Sequence, residues 1–390
     1  PVTATVLNFL AVSASPNQTI CVGSNATLGV NPSGGGYIYS WDSPGNIAFS
    51  NIANPSVTPN TTTNYTVTVT SPNGCTGTAQ TQVYVNSLPI AYAGNPIAFC
   101  DGQSGSIGSA PISGYSYSWI PTTGLNNPSV SNPVVTLQNS GSTPSSSNYT
   151  LTVTLNGCQA SNQVQVTVNP LPQSVAGTPL TLCSGQSGTL GTVNNSNYSY
   201  AWTPATNLSS STISNPSVSA INVGSSNLNY TYTVTTTEVS TSCQSNAQVF
   251  VSILPLPNVN AGSNTGGCEG VASIQLNGTM GGAVNSVIWS GGTGSFNASN
   301  TILNPSYIPS SGDFMNSSMT LTLTGLSIAP CPNVTSTVQI DFYKKPAINF
   351  IVNYPAGCPE HCVHFTDQSM VPPPDAIQSW SWNFGDGGTS

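Results

Sequence analysis

Residues 21–75 read CVGSNATLGVNPSGGGYIYSWDSPGNIAFSNIANPSVTPNTTTNYTVTVTSPNGC. The stretch opens on Cys21 and a Cys-x-Gly step. Ala26 to Val30 is a short apolar strand. Tyr37, Tyr39 and Trp41 then fall on one face of a second strand, with Ile38 and Ser40 on the other. Asn54-Pro55-Ser56-Val57 reads as a turn, because proline fixes φ and asparagine initiates turns. Tyr65 to Thr70 alternates Tyr and Val with Thr, the period-2 signature of a half-buried strand. Asn73-Gly74 is a strong hairpin signal immediately before Cys75.

The same unit returns at Cys100 to Cys158 and Cys183 to Cys243, and more loosely at Cys268 to Cys331. A fixed-period repeat sets the architecture before any single residue does. The Tyr-x-Trp strand recurs at Tyr115, Tyr117 and Trp119 and at Tyr198, Tyr200 and Trp202; the fourth unit keeps Trp289. Asn127-Pro-Ser-Val130, Asn215-Pro-Ser-Val218 and Asn304-Pro-Ser306 repeat the turn. Tryptophan follows its cysteine at 19 to 21 residues in every unit, so Trp41, Trp119, Trp202 and Trp289, with Trp382 in the last segment, are assigned to cores. Proline linkers mark boundaries at Leu88-Pro89, Pro170-Leu-Pro172, Pro255-Leu-Pro257 and Lys345-Pro346. The expected organisation is a last strand of a preceding or partner domain at 1–10, domains at 11–88, 89–171, 172–256 and 257–346, and an incomplete domain at 347–390. Short proline-rich linkers act as semi-rigid spacers, so the domains are expected end to end.

Composition narrows the function class. Asp, Glu, Lys and Arg together number 12 in 390 residues, where a soluble surface carries about a quarter to a third charged residues. The two basic residues, Lys344 and Lys345, cannot neutralise a row of phosphates, which argues against nucleic-acid binding. Weak charge repulsion leaves little to oppose self-association or packing into a polymer. No apolar run is long enough to span a bilayer. Pro1 is not an initiation residue, so a longer precursor is expected.

Trp382-Asn-Phe-Gly-Asp-Gly387, preceded by Cys358-Pro-Glu-His-Cys-Val-His-Phe-Thr-Asp367, resembles a PKD domain. The four preceding units resemble the Ig-like repeats of large secreted surface proteins of Bacteroidota, including gliding-associated adhesins. The motifs are Pro-Leu-Pro, Ala-Gly before the cysteine, Cys-x-Gly, Tyr-x-Trp, Asn-Pro-Ser-Val and Asn-Gly-Cys. The resemblance implies an all-β chain of tandem Ig-like/PKD-like β-sandwich domains arranged as an elongated rod, with an extracellular or cell-surface role.

Ten regularly placed cysteines point to an oxidising compartment. The expected bridges are Cys21–Cys75, Cys100–Cys158, Cys183–Cys243 and Cys268–Cys331, each closed inside one domain; an up-and-down sandwich would place both cysteines at one end. Closing a loop of about 55 residues stabilises by roughly 4 kcal/mol in the chain-entropy model. Cys358–Cys362 is the fifth expected pair, although a four-residue separation needs a bent backbone. His361 and His364 flank Cys362 without further histidines to complete a metal site, so they are read as strand-start residues. Asp386 is read as a turn residue. Thirteen Asn-x-Ser/Thr sequons occur, among them Asn17, Asn25, Asn60, Asn64, Asn148, Asn197, Asn229 and Asn333. Chance in a chain this rich in Asn, Ser and Thr accounts for most of them, and the low charge keeps glycan cover open as an alternative.

No triad, carboxylate pair, phosphate loop or catalytic thiol emerges, and no metal or cofactor is called for. The favoured function is a structural segment of an extracellular fibre or surface adhesin, a stalk or filament protomer. In one form the strand carrying Val2, Ala4 and Val6 completes the unfinished C-terminal domain of a neighbouring copy; in the other, residues 1–390 are a window on a longer array. The alternatives are accessory modules of a secreted polysaccharide- or protein-degrading enzyme and, ranked lower, a Thr-rich surface for carbohydrate or ice.

Overall fold

A computed structural model describes residues 9–42, 47–48, 50–353, 362–373 and 376–385. Val2, Ala4, Val6, Cys358, His361 and Asp386 lie outside these residues. The described chain is built of β-strands with one short 3-10 turn, Asp313–Met315. It divides into two compact bodies, Pro1–Pro172 with Ser240–Cys243, and Gln173–Val239 with Gln244–Ser390.

One four-stranded sheet is repeated four times. In repeat 2 its order is Ile97–Cys100, Cys158–Asn169, Ser145–Leu155, Ser116–Ile120. Leu155 faces Cys158 across the tight turn at Asn156-Gly157, and the two long strands pair antiparallel over their whole length. The short first strand instead runs parallel to the last, with Ile97 opposite Val166 and Cys100 opposite Asn169. Parallel pairings recur at Cys21 opposite Asn86, Cys183 opposite Leu254 and Cys268 opposite Tyr343. A second, smaller sheet covers the apolar face, for instance Ser104–Ser106 with Val134–Thr136 in repeat 2 and Ser187–Thr189 with Ser217–Ser219 in repeat 3.

The alternating sequence is what lets these sheets sandwich a core. Tyr65, Val67 and Val69 are fully buried, as are Tyr149, Leu151 and Val153, and the threonines between them face outward. Trp41, Trp119, Trp202 and Trp289 are buried in four separate clusters. Each indole N–H still needs an acceptor inside the core, and a backbone carbonyl supplies it: Ile52 at 3.0 Å, Val130 at 2.9 Å, Ile213 at 2.9 Å and Leu303 at 3.1 Å. Trp382 differs: it is half-exposed among Phe350, Phe365 and Phe384, not enclosed in a core.

The Asn-Pro-Ser-Val motif is not a free turn. Ser56–Val57, Ser217–Ser219 and Ser306–Ile308 are strands of the second sheet, and the proline carbonyl accepts an N–H from the facing chain: Pro55 from Leu28, Pro216 from Leu190, Pro305 from Leu276. In repeat 2 that position belongs to Pro133, which accepts from Ile107, and not to Pro128. The run Asn127-Pro-Ser-Val-Ser-Asn132-Pro-Val-Val135 holds two Asn-Pro steps. Only the second puts a valine, Val135, into the core where Val57 and Val218 sit in their repeats. Burial, and not the motif spelling, decides the register.

Repeat 4 carries a buried carboxylate. Burial alone would push the Asp313 carboxyl up, but hydrogen bonds overrule it. The Ser310 and Thr293 N–H groups and the Thr293 and Tyr307 hydroxyls donate to it at 2.7–2.8 Å, holding its pKa at about 2, down from 3.8. A folded pKa below the unfolded one gives stability that is complete above about pH 4 and is lost as pH falls toward 2. Asp313 is therefore expected to supply about 2 kcal/mol of the acid sensitivity of repeat 4. In Asp313→Asn, amide exchange at Thr293 and Ser310 is expected to be faster at pH 6 and to lose most of its acceleration between pH 5 and 2. Equal acid dependence in both proteins would remove Asp313 from this role.

Candidate functional site: bridges between successive repeats

The parallel first strand sets where the cysteines can reach. In repeat 2, Cys100 ends its strand opposite Asn169, the far end of the strand that begins at Cys158. Eleven residues at about 3.3 Å each separate the two ends by about 36 Å. A disulfide needs its Cα atoms within about 7 Å. Cys100–Cys158 is thus excluded by the sheet, and the same register excludes Cys21–Cys75, Cys183–Cys243 and Cys268–Cys331. The expectation of both cysteines at one end treated the first strand as antiparallel.

The observed bridges join successive repeats. Cys21 pairs with Cys158, Cys100 with Cys243 and Cys183 with Cys331, with Cα–Cα distances of 5.5, 5.5 and 4.9 Å. Each links the first-strand cysteine of one repeat to the hairpin cysteine of the next, closing loops with separations of 137, 143 and 148 residues. The three loops interleave. Among the described residues Cys75 and Cys268 carry no bridge, which corrects the expected Cys21–Cys75 and Cys268–Cys331 pairs; Cys362 carries none among them either, and its expected partner Cys358 lies outside them.

The first-strand cysteines stand on one rigid turn. The carbonyls of Cys21, Cys100, Cys183 and Cys268 accept N–H groups from Ser24, Gln103, Gln186 and Val271 at 2.9–3.0 Å. The glycine two residues on has φ between 77° and 82°, a backbone that glycine adopts without a Cβ penalty. The next N–H donates back to the last strand: Val22 to Asn86, Asp101 to Asn169, Ser184 to Leu254, Glu269 to Tyr343. Repeats 2 and 3 add a buried asparagine beside the turn. The Asn139 amide N–H groups donate to Thr143 and Val168 carbonyls at 2.8 Å, while its own backbone N–H donates to the Asp101 carboxylate at 2.7 Å. Asn222 repeats this with Ser226, Ile253 and the Ser184 hydroxyl. The sequence reading passed over both asparagines, although Asn139-Ser-Gly-Ser and Asn222-Val-Gly-Ser share a spelling that distinguishes them from chance polar residues.

Around two of the bridges, Cys21–Cys158 and Cys183–Cys331, side chains and backbone of successive repeats meet. In the first body Asn86 donates its side-chain N–H to the Asn156 carbonyl at 3.1 Å. In the second, Cys183, Cys331, Leu254 and Ala283 form their own buried cluster, and Ile328 N–H donates to the Ala283 carbonyl at 2.8 Å. Gly282 has φ +64°, and a Cβ there would lie 1.8 Å from the Leu256 carbonyl oxygen, so the approach admits only glycine.

The remaining candidate residues fall away from this feature. Asn17, Asn25, Asn60, Asn64, Asn148, Asn197, Asn229 and Asn333 are all exposed. Three of them serve the fold: Asn17, Asn25 and Asn333 accept from Gln82 N–H, the Thr58 hydroxyl and Ser327 N–H. His364 is exposed, and among the described residues no group of three or more His, Cys, Asp or Glu could hold a metal ion. Among the described residues no helix is long and apolar enough to cross a membrane.

No protein-family model matches the chain, and no curated protein matches it. The solved structures it is similar to are tandem β-sandwiches. The chain's own sheets, a four-stranded sheet faced by a smaller one in each repeat, make it a tandem of Ig-like β-sandwiches. The insect immune protein hemolin is 12% identical over 84% of this chain and 98% of its own, with a TM-score of 0.29. The titin fragment I67–I69 is 11% identical over 65% and 97%, with a TM-score of 0.37. Drosophila N-cadherin EC1-4 is 9% identical over 78% and 92%, with a TM-score of 0.31. These likenesses concern the fold alone.

Proposed function

We propose that this chain is a structural, load-carrying segment of an extracellular fibre or cell-surface adhesin, a stalk or filament protomer and not an enzyme. The observation that carries this reading is the interleaved set of bridges. Each joins two successive repeats that a peptide linker already connects, so each of these junctions is held by two covalent routes. Such bonds persist in an oxidising, extracellular setting. A surface with few charges supports lateral packing or glycan cover.

The finer form is head-to-tail assembly by strand complementation at the C-terminal segment. Support comes from the two-stranded ribbon of Phe350–Val352 and Phe365–Asp367. With Trp382 and Phe384 it lines an open apolar cavity of about 500 Å³. A two-stranded ribbon with an apolar face is a template for an added strand. Electron microscopy of native material is the test. Uniform fibres that disappear when residues 1–10 are deleted are expected. Fibres unchanged by that deletion would remove strand complementation, and dispersed single domains cleaved from one another would remove the stalk reading altogether.

A further inference from the structure

We infer that Cys75 and Cys268 are open rungs of the same ladder, each built to bond the complementary cysteine of another Ig-like unit. Cys75 would take a first-strand cysteine, and Cys268 would take a hairpin cysteine. The inference extends the load-carrying reading by naming the covalent partner at each end of the bridged span.

Cys268 is held as its bridged equivalents are. It ends a strand parallel to the last strand of its repeat, opposite Tyr343, and its carbonyl accepts the Val271 N–H at 2.9 Å across Gly270 at φ +82°. Cys75 directly precedes the last strand of its repeat, Thr76–Asn86, as Cys243 directly precedes Gln244–Leu254, and its turn is hydrogen-bonded: Ser71 N–H donates to the Cys75 carbonyl at 2.8 Å, Gly74 N–H to the Ser71 carbonyl at 2.9 Å, and the Ser71 hydroxyl accepts the Cys75 N–H at 3.1 Å. Within each type the open cysteine is the more exposed one. Hairpin cysteines Cys158, Cys243 and Cys331 are buried, while Cys75 is half-buried; first-strand Cys183 is buried and Cys21 and Cys100 are half-buried, while Cys268 is exposed. Three closed rungs of one type pairing leave one thiol of each type over, on a backbone already shaped for the bond.

Closing a rung converts two thiols to one S–S bond with loss of two protons and two electrons. A small-molecule disulfide such as glutathione disulfide accepts them by exchange through a mixed disulfide, leaving two glutathione thiols. The partner unit belongs either to the same polypeptide or to a second copy, and the test separates these sources.

In a Cys358→Ser/Cys362→Ser background, the chains Cys75→Ser and Cys268→Ser are each incubated with glutathione disulfide, alone and mixed, then separated without reductant and mapped by peptide mass spectrometry. Each is expected to stay monomeric alone; the mixture is expected to give a dimer whose one new linkage is Cys268 to Cys75. That result assigns a second copy as a competent partner. A parallel map of native material is expected to place Cys75 with a Cys-x-Gly peptide and Cys268 with a hairpin peptide, and the mass of that species assigns intrachain or interchain origin. Dimers of either variant alone in yields matching the mixture would mean unselective oxidation and overturn the inference. So would recovery of both thiols as free, glutathione-capped or homotypically paired in native material whose other three rungs are closed. Loss of the three internal bridges, by contrast, would count against the load-carrying reading itself.

Discussion

Pulled by its two ends, the oxidised chain is expected to yield at most about 100 Å from the whole span between Cys21 and Cys331. The shortest covalent path crosses Cys21–Cys158, follows the backbone for the 25 steps from Cys158 to Cys183, and crosses Cys183–Cys331. Twenty-five steps at roughly 3.5 Å reach about 90 Å, and the two bridges add 5.5 and 4.9 Å. The first part of that path, Cys158–Asn169, is already an extended strand. Full reduction frees 310 steps, from 21 to 331, or about 1,100 Å. Single-molecule force spectroscopy with and without reductant should therefore show a contour-length gain of about 1,000 Å. Bridges closed inside each repeat would give a different number. They would leave three backbone segments, 75–100, 158–183 and 243–268, free to extend to roughly 260 Å before reduction. A pre-reduction length near that value would overturn the observed pairing. The mechanical consequence is that tension on this span follows one long strand of repeat 2, Cys158–Asn169, and the short Leu180–Cys183 strand of repeat 3, so the rest of each sandwich need not resist unfolding for the span to hold.

The second large effect is expected at Gly108. Its φ is +82°, and a Cβ there would lie 1.9 Å from the Ser131 carbonyl oxygen and 3.0 Å from the Trp119 ring. Gly191 repeats the arrangement in repeat 3, 1.9 Å from the Ser214 carbonyl and 3.0 Å from Trp202. Backbone and indole close on the same point, and neither can retreat without opening the core. Gly108→Ala combines left-handed strain of about 1–2 kcal/mol with overpacking of about 1–3 kcal/mol. A loss of about 2–5 kcal/mol in repeat 2 is expected, read as a lower urea midpoint by Trp119 fluorescence. Gly102→Ala is the control. Its φ is +77° but nothing lies within 4 Å of the added carbon, so only the strain of about 1 kcal/mol remains. Equal losses at the two sites would mean that strain, and not the close approach at Trp119, sets the cost.

Local chemistry made most of the fold legible. The Tyr-Thr-Val-Thr alternation, the Asn-Gly turns and the constant Cys-to-Trp spacing are short-range patterns, and a strand or hairpin is a short-range object. They fixed an all-β chain, the four tryptophan cores and the cysteine positions at strand ends. The two Asn-Pro steps of repeat 2 show where that reading stops. Residues 127–130 spell the motif, yet Val135 occupies the core, because a buried pocket selects among equivalent spellings by volume and register.

Which cysteine meets which was decided by tertiary structure alone. Sequence established that ten cysteines recur in pairs, and pairing by nearest neighbour followed from the period. Nothing in the period tells whether a four-residue strand such as Ile97–Cys100 runs parallel or antiparallel to the strand that closes its sheet some seventy residues later. That single direction sends Cys100 to the far end of the sheet from Cys158, about 36 Å away, and into reach of the next repeat. Strand direction is set by the packing of the whole sandwich, so the change from intra-repeat clasps to a ladder between repeats could be read only once the sheets were assembled.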